Sequence, residues 1–104
     1  MNTCSEYTAA DQYNTLLDQA RACIARKEYR AAKTHVRKAL GLDPSRPEAL
    51  NLMGALLELG RDWGFARKYY RAALAFDPAY RPAQANLSRT LAWCLRGEIC
   101  TGIG

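Results

Sequence analysis

The residues best suited to chemistry in this 104-residue chain are four cysteines, Cys4, Cys23, Cys94 and Cys100, and a single histidine, His35. Thiolates and imidazoles are the usual zinc ligands, and a Cys–His pair is the usual start of a nucleophilic site. Their spacing argues against both. The cysteines stand 19, 71 and 6 residues apart with no Cys-x-x-Cys. A zinc site would have to gather all four, or three with His35, from distant parts of the chain. Cys23 and His35 meeting across a helix pair would still lack a cleft and an oxyanion site. No Gly-x-Ser-x-Gly, P-loop or dinucleotide fingerprint is present to supply one. The chain reads as no enzyme, with no metal and no cofactor. The cysteines read as small buried hydrophobes, reduced in a cytoplasmic setting.

Cations are the second chemically capable set. The formal net charge is +5, and it is unevenly placed: residues 26–38 carry +5, residues 61–71 carry +3, and the remainder carries −3. Arg30, Lys33 and Arg37 follow i, i+3, i+7 spacing, and Arg67 and Arg71 extend the basic outer patch into the second charged segment. Such a stripe suits phosphates or an acidic protein surface. The nearby aromatics Tyr29, Trp63 and Tyr70 fall at packing positions rather than on a base-stacking platform. A solvated face that keeps a small protein soluble is therefore the preferred account, and nucleic acid is not the expected partner.

These side chains need elements to hold them. At 49 % hydrophobic and 24 % charged residues, the chain suits one modest domain. No stretch approaches the ~18 apolar residues of a membrane span, so no membrane insertion is expected. Residues Met1 to Tyr7 show neither a basic n-region nor an apolar h-region, which predicts a cytoplasmic location. Apolar spacing is helical throughout and nowhere alternates with period two, so the fold class is all-α. Thr8, with Asp11 three residues on, predicts a capped first helix carrying Tyr13, Leu16, Leu17, Ala20, Cys23 and Ile24. Tyr29, Ala32, Val36, Ala39 and Leu40 stripe a second, closed by Gly41 and Pro44. Ser45 is the expected cap of a third, which has Pro47 in its first turn, buries Leu50, Met53, Gly54 and Leu57, and ends at Gly60 as a C′ residue. Asp62 opens a fourth bearing Trp63, Ala66, Tyr70, Ala73 and Leu74. A fifth starts near Tyr80 or Arg81, with Leu87, Leu91, Cys94 and Leu95 on one stripe, and stops at Gly97.

The chain also repeats itself. Residues 29–49 set against 63–83 give seven identities in 21 positions at an offset of 34: Ala32/Ala66, Arg37/Arg71, Ala39/Ala73, Leu40/Leu74, Asp43/Asp77, Pro44/Pro78 and Ala49/Ala83. With its small residues at Ala32 and Ala66, aromatics at Tyr29 and Trp63, and prolines at Pro44 and Pro78, the pattern resembles the tetratricopeptide repeat, a family of the same period. The resemblance implies a single TPR-like α-solenoid domain over residues 1–104. Repeat 1 covers about 13–46, repeat 2 about 47–80, a capping helix about 81–97 and a tail 98–104.

The resemblance further implies a non-enzymatic protein–protein interaction module, an adaptor, scaffold or co-chaperone-like protein that holds a peptide or helix of another protein in its concave groove. The family register places Arg21, Asn51, Leu52, Ala55, Asn86, Arg89 and Trp93 on that surface. Asparagine amides and arginines would be its polar contacts, and Leu52, Ala55 and Trp93 its apolar floor. The positions with which chaperone-binding relatives grip a terminal carboxylate are Leu17, Arg21, Leu52, Pro82 and Asn86, and none matches in type, so that ligand is not expected. The terminal helix covers the second unit, but the outer face of the first pair is left open. Trp93, Leu95, Ile99 and Ile103 are more apolar than a solvating cap requires. Self-assembly into a homodimer or higher oligomer is therefore the alternative reading, followed by nucleic-acid or acidic-surface binding through the basic second helices.

Overall fold

Thr8 opens the first helix with a reciprocal cap. Its hydroxyl accepts from the Asp11 amide at 3.1 Å and its own amide donates to the Asp11 carboxylate at 3.2 Å, an arrangement worth about 1 kcal/mol. The computed structural model describes residues 8–95, apart from the side chains of residues 93–95. Five helices occupy them: α1 (Ala9–Ala25), α2 (Tyr29–Leu42), α3 (Pro47–Leu59), α4 (Trp63–Phe76) and α5 (Arg81–Leu95). No strand occurs among the described residues, and no described helix is long and apolar enough to cross a membrane. The chain divides into two compact units, Met1–Pro44 and Ser45–Gly104. The first is the antiparallel pair α1 and α2; in the second, α4 packs against both α3 and α5.

The 34-residue offset of the sequence is carried into the backbone. Helices α2 and α4 begin and end 34 residues apart, α1 and α3 end 34 apart, and α3 and α5 begin 34 apart. The turns match bond for bond. Glu28 and Asp62 each donate an amide hydrogen bond of 2.8 Å, to the carbonyls of Cys23 and Leu57, while Lys27 and Arg61 each donate one of 2.9 Å, to Ile24 and Glu58. At both turns the left-handed conformation falls on a cation, Lys27 at φ 63° and Arg61 at φ 66°. Gly60, the residue expected to take that role, has φ −87° and is the C-cap. The tight return to the Leu57 carbonyl places the left-handed step one residue later.

Other helix limits also differ from the expectation. Arg46, in extended conformation, is the N-cap of α3 and makes no side-chain cap bond, so Ser45 does not cap it; Pro47 at N1 supplies the preset φ instead. Helix α2 runs through Gly41 to Leu42, because Asp43 and Pro44 rather than the glycine break the ladder. Gly97 lies outside the described residues.

The cores follow from the stripes. In the first unit Tyr13, Leu17, Ala20 and Cys23 are buried, with Ala32, Val36 and Ala39 of α2. Leu16, Ile24 and Leu40 are half-buried. In the second, α3 buries Ala49, Leu50, Met53, Gly54 and Leu56; α4 contributes Ala66, Tyr70 and Ala73, and α5 contributes Ala83 and Thr90. Leu56, 1 % exposed, takes the place expected for Leu57, which is half-buried. Helix α3 is apolar on nearly every side, so spacing alone cannot choose between adjacent leucines. Leu91 of the expected α5 stripe is 37 % exposed, because α5 buries Ala83 and Thr90, with Leu87 between them in the same register. Thr90 is accommodated by donating its hydroxyl to the Leu87 carbonyl at 2.9 Å. The side chains of Cys94 and Leu95 lie outside the described residues.

Candidate functional site

Three of the residues expected to form the polar groove are brought together in the second unit. Asn51 and Ala55 lie one helical turn apart on α3, with Glu58 a further three residues on. Asn86 and Arg89 lie one turn apart on α5, and the two rows meet. The Asn86 side-chain amide donates to Asn51 Oδ1 at 3.0 Å. Arg89 Nη1 donates to Asn86 Oδ1 at 2.8 Å, and Arg89 Nη2 reaches both Glu58 carboxylate oxygens, Oε1 at 2.6 Å. From α4, the Tyr70 hydroxyl donates to Glu58 Oε1 at 2.6 Å. One chain of hydrogen bonds thus ties α3, α4 and α5 together through Glu58.

The electrostatics of this cluster are set by its depth. The Glu58 side chain is 12 % exposed and that of Arg89 39 %, so the pair is stronger than an exposed surface bridge but is still partly screened. Burial, reinforced by the bond to Glu58, holds the Tyr70 phenol protonated well above its usual range. The Glu58 carboxylate likewise holds Arg89 charged more firmly than usual. With its carboxylate fully engaged and its phenol locked in the protonated form, the cluster fixes α5 onto α3 and α4.

Next to it lies a cavity of about 440 Å3 lined by Ala55, Glu58, Leu59, Arg61, Trp63 and Arg89. Ala55 and Trp63 are half-buried, as is Leu52 nearby on α3, while Leu59 is 52 % exposed. Glu58 was not expected from the sequence. Its signal is that it stands as the lone charged residue in the apolar run from Ala49 to Leu59, where a carboxylate requires a partner.

The other expected site residues fare differently. Arg21 belongs to the first unit, where it pairs with Asp18 at 3.2 Å; both side chains are more than half exposed. The Trp93 side chain lies outside the described residues. Of the basic outer patch, Arg30, Arg37 and Arg71 are exposed and Lys33 half-buried. Arg67 is not part of it: the residue is only 4 % exposed. It flanks the buried Ala66 on α4, and the second unit has a third helix packed against α4, whereas α2, which carries the equivalent Lys33, has none within its own unit. Of the aromatics placed at packing positions, Tyr70 is fully buried but Tyr29 is 37 % exposed.

Among the described residues no three His, Cys, Asp or Glu side chains gather as metal ligands. Cys23 is a buried free thiol whose Sγ accepts from Arg26 Nη2 at 3.6 Å. Compared with protein-family models and with curated proteins, the chain finds no match in either.

Proposed function

We propose that the chain is a non-enzymatic protein-interaction module of the tetratricopeptide-repeat type, a cytoplasmic adaptor or scaffold that holds a peptide or helix of another protein on the face formed by α3 and α5. The observation that carries this reading is the 34-residue recurrence of most helix limits and of the turn hydrogen bonds. Repeating helix pairs of this kind stack side by side and present a continuous face for ligands. The α3–α5 face has the composition such a role requires. Leu52 and Ala55 supply apolar surface beside Asn51, Asn86 and Arg89, whose geometry is fixed by their mutual hydrogen bonds rather than left to solvent.

The test is selection of peptides from a random display library on the full chain, with an Ala55→Arg variant as the counter-target. The reading expects convergent peptides whose affinity falls by about tenfold or more on Ala55→Arg, as for a central contact of an interface. Peptides that fail to converge, or that bind both chains equally, reject it.

A further inference from the structure

The cavity beside the Glu58 cluster has apolar walls and a basic mouth. Among the described residues, Ala55, Leu59 and Trp63 form the walls, while Arg61 and Arg89 are two cations against the one carboxylate of Glu58. That carboxylate is already satisfied by Arg89 and Tyr70, so the charge left for an incoming group is positive. Asp62, adjacent in sequence, is not among the lining residues. The volume, about 440 Å3, lies at the small end of ligand sites and suits one large side chain with its neighbouring backbone.

Arg61 carries the second observation. It occupies the left-handed region at φ 66°, a conformation that favours glycine, although Gly60 stands immediately before it. The conformation belongs to the turn; what is particular to Arg61 is that its exposed cation lines the cavity. Lys27 holds the same conformation at the equivalent turn of the first unit and does not line this cavity, so it provides an internal control for the backbone effect alone.

We propose that this cavity receives one large apolar side chain, aromatic or long aliphatic, of a partner polypeptide in which an aspartate or glutamate stands beside that residue. The apolar group lies against Trp63, Leu59 and Ala55, and the neighbouring carboxylate pairs with Arg61 at the mouth. This inference rests on the interaction-module reading and specifies its ligand.

Three end-blocked tripeptides, Glu-Phe-Glu, Gln-Phe-Gln and Lys-Phe-Lys, test it when titrated to millimolar concentration against the full chain. The readout is the Trp63 indole N–H resonance, assigned with a Trp63→Phe variant. The expected result is a saturable shift with the acidic peptide bound tightest and the basic one weakest, about fivefold or more apart, the size of one or two partly exposed charge pairs. Arg61→Gly should lower the affinity for the acidic peptide while its thermal midpoint stays the same or rises; Lys27→Gly should raise the midpoint and leave binding unchanged. No saturable shift, no charge ranking, or full binding by Arg61→Gly overturns the inference. The two readings fail separately. Library peptides that depend on Ala55 but lack an acidic-flanked apolar residue would leave the module standing without this pocket's role, whereas independence from Ala55 removes the module itself.

Discussion

A β-carbon on Gly54 would stand 2.5 Å from Cε1 and 2.7 Å from Cδ1 of Tyr70, and 3.1 Å from the Ala66 carbonyl oxygen. The Tyr70 ring therefore occupies the space that any other residue at position 54 would need. The first unit solves the same crossing with a milder division of bulk in the same sense. Ala20 and Val36, 34 residues before each partner, are both fully buried. Where the second helix carries the larger ring the first carries the smaller residue, which is the compensation close packing demands.

Gly54→Ala should therefore destabilise the protein by about 1–3 kcal/mol through overpacking, outweighing the ~1 kcal/mol gain of helix propensity. The same substitution introduced on top of Tyr70→Val, which copies the Ala20 and Val36 pair, should be markedly less harmful. Urea denaturation of the four chains in the cycle gives the coupling. Equal penalties in both backgrounds would show that the ring does not impose the glycine.

Tyr70 also makes stability depend on alkaline pH. Its phenol is raised in the folded state by burial and by Glu58, whereas an unfolded tyrosine titrates near about pH 10. Below that value both states hold the proton and its contribution is complete. As the pH rises further, the unfolded chain loses its proton first and the contribution is withdrawn. The stability of the wild type minus that of Tyr70→Phe should thus be flat up to about pH 10 and fall above it. A difference that stays flat into the alkaline range would contradict the assignment.

Glu58→Gln leaves Arg89 and Tyr70 without their common acceptor charge. Given the partial exposure of Arg89, about 1–2 kcal/mol should be lost, and the loss should be local. Amide hydrogen exchange is expected to speed up about tenfold in α5, with α1 and α2 unchanged. Uniform acceleration along the chain would mean that Glu58 supports the whole fold rather than the attachment of α5.

Lys27→Gly should stabilise the first unit by up to about 1 kcal/mol, because the left-handed step at φ 63° carries a steric penalty that glycine lacks. Part of the gain is offset by the greater freedom of glycine in the unfolded chain. Thermal denaturation measures the balance, and a fall in the midpoint would show that the lysine side chain contributes more than its backbone conformation takes away.

The helices were legible because their signals are local. The Thr8 cap, the apolar spacing of Tyr13, Leu17, Ala20 and Cys23, and the recurrence of Asp43-Pro44 at Asp77-Pro78 all act within a few residues. The meeting of Asn51, Asn86 and Arg89 was legible only in part. The repeat register put them on one surface, but nothing local shows that they bond to one another rather than to solvent. Glu58 was missed because its partners are 12 and 31 residues away and its repeat equivalents, Ile24 and Ala92, are apolar, so the period gives no hint of a carboxylate there. Arg67 misled for the converse reason. Its type and its place between Ala66 and Lys68 read as surface, whereas in the folded unit, where α4 packs against two helices, it is 4 % exposed.

Among the helix pairs in substantial contact, every one but α3 and α5 is adjacent in sequence, and that exception is bridged by Arg89 and Glu58 across 31 residues. Neighbouring antiparallel helices close short loops and form early, whereas the longer closure comes later. The Arg89–Glu58 pair then acts as a latch set after the folding barrier: Glu58→Gln should steepen escape from the native state in stopped-flow unfolding while the refolding rate barely moves. The lifetime of the folded second unit, more than its speed of assembly, is what loss of that ion pair should change.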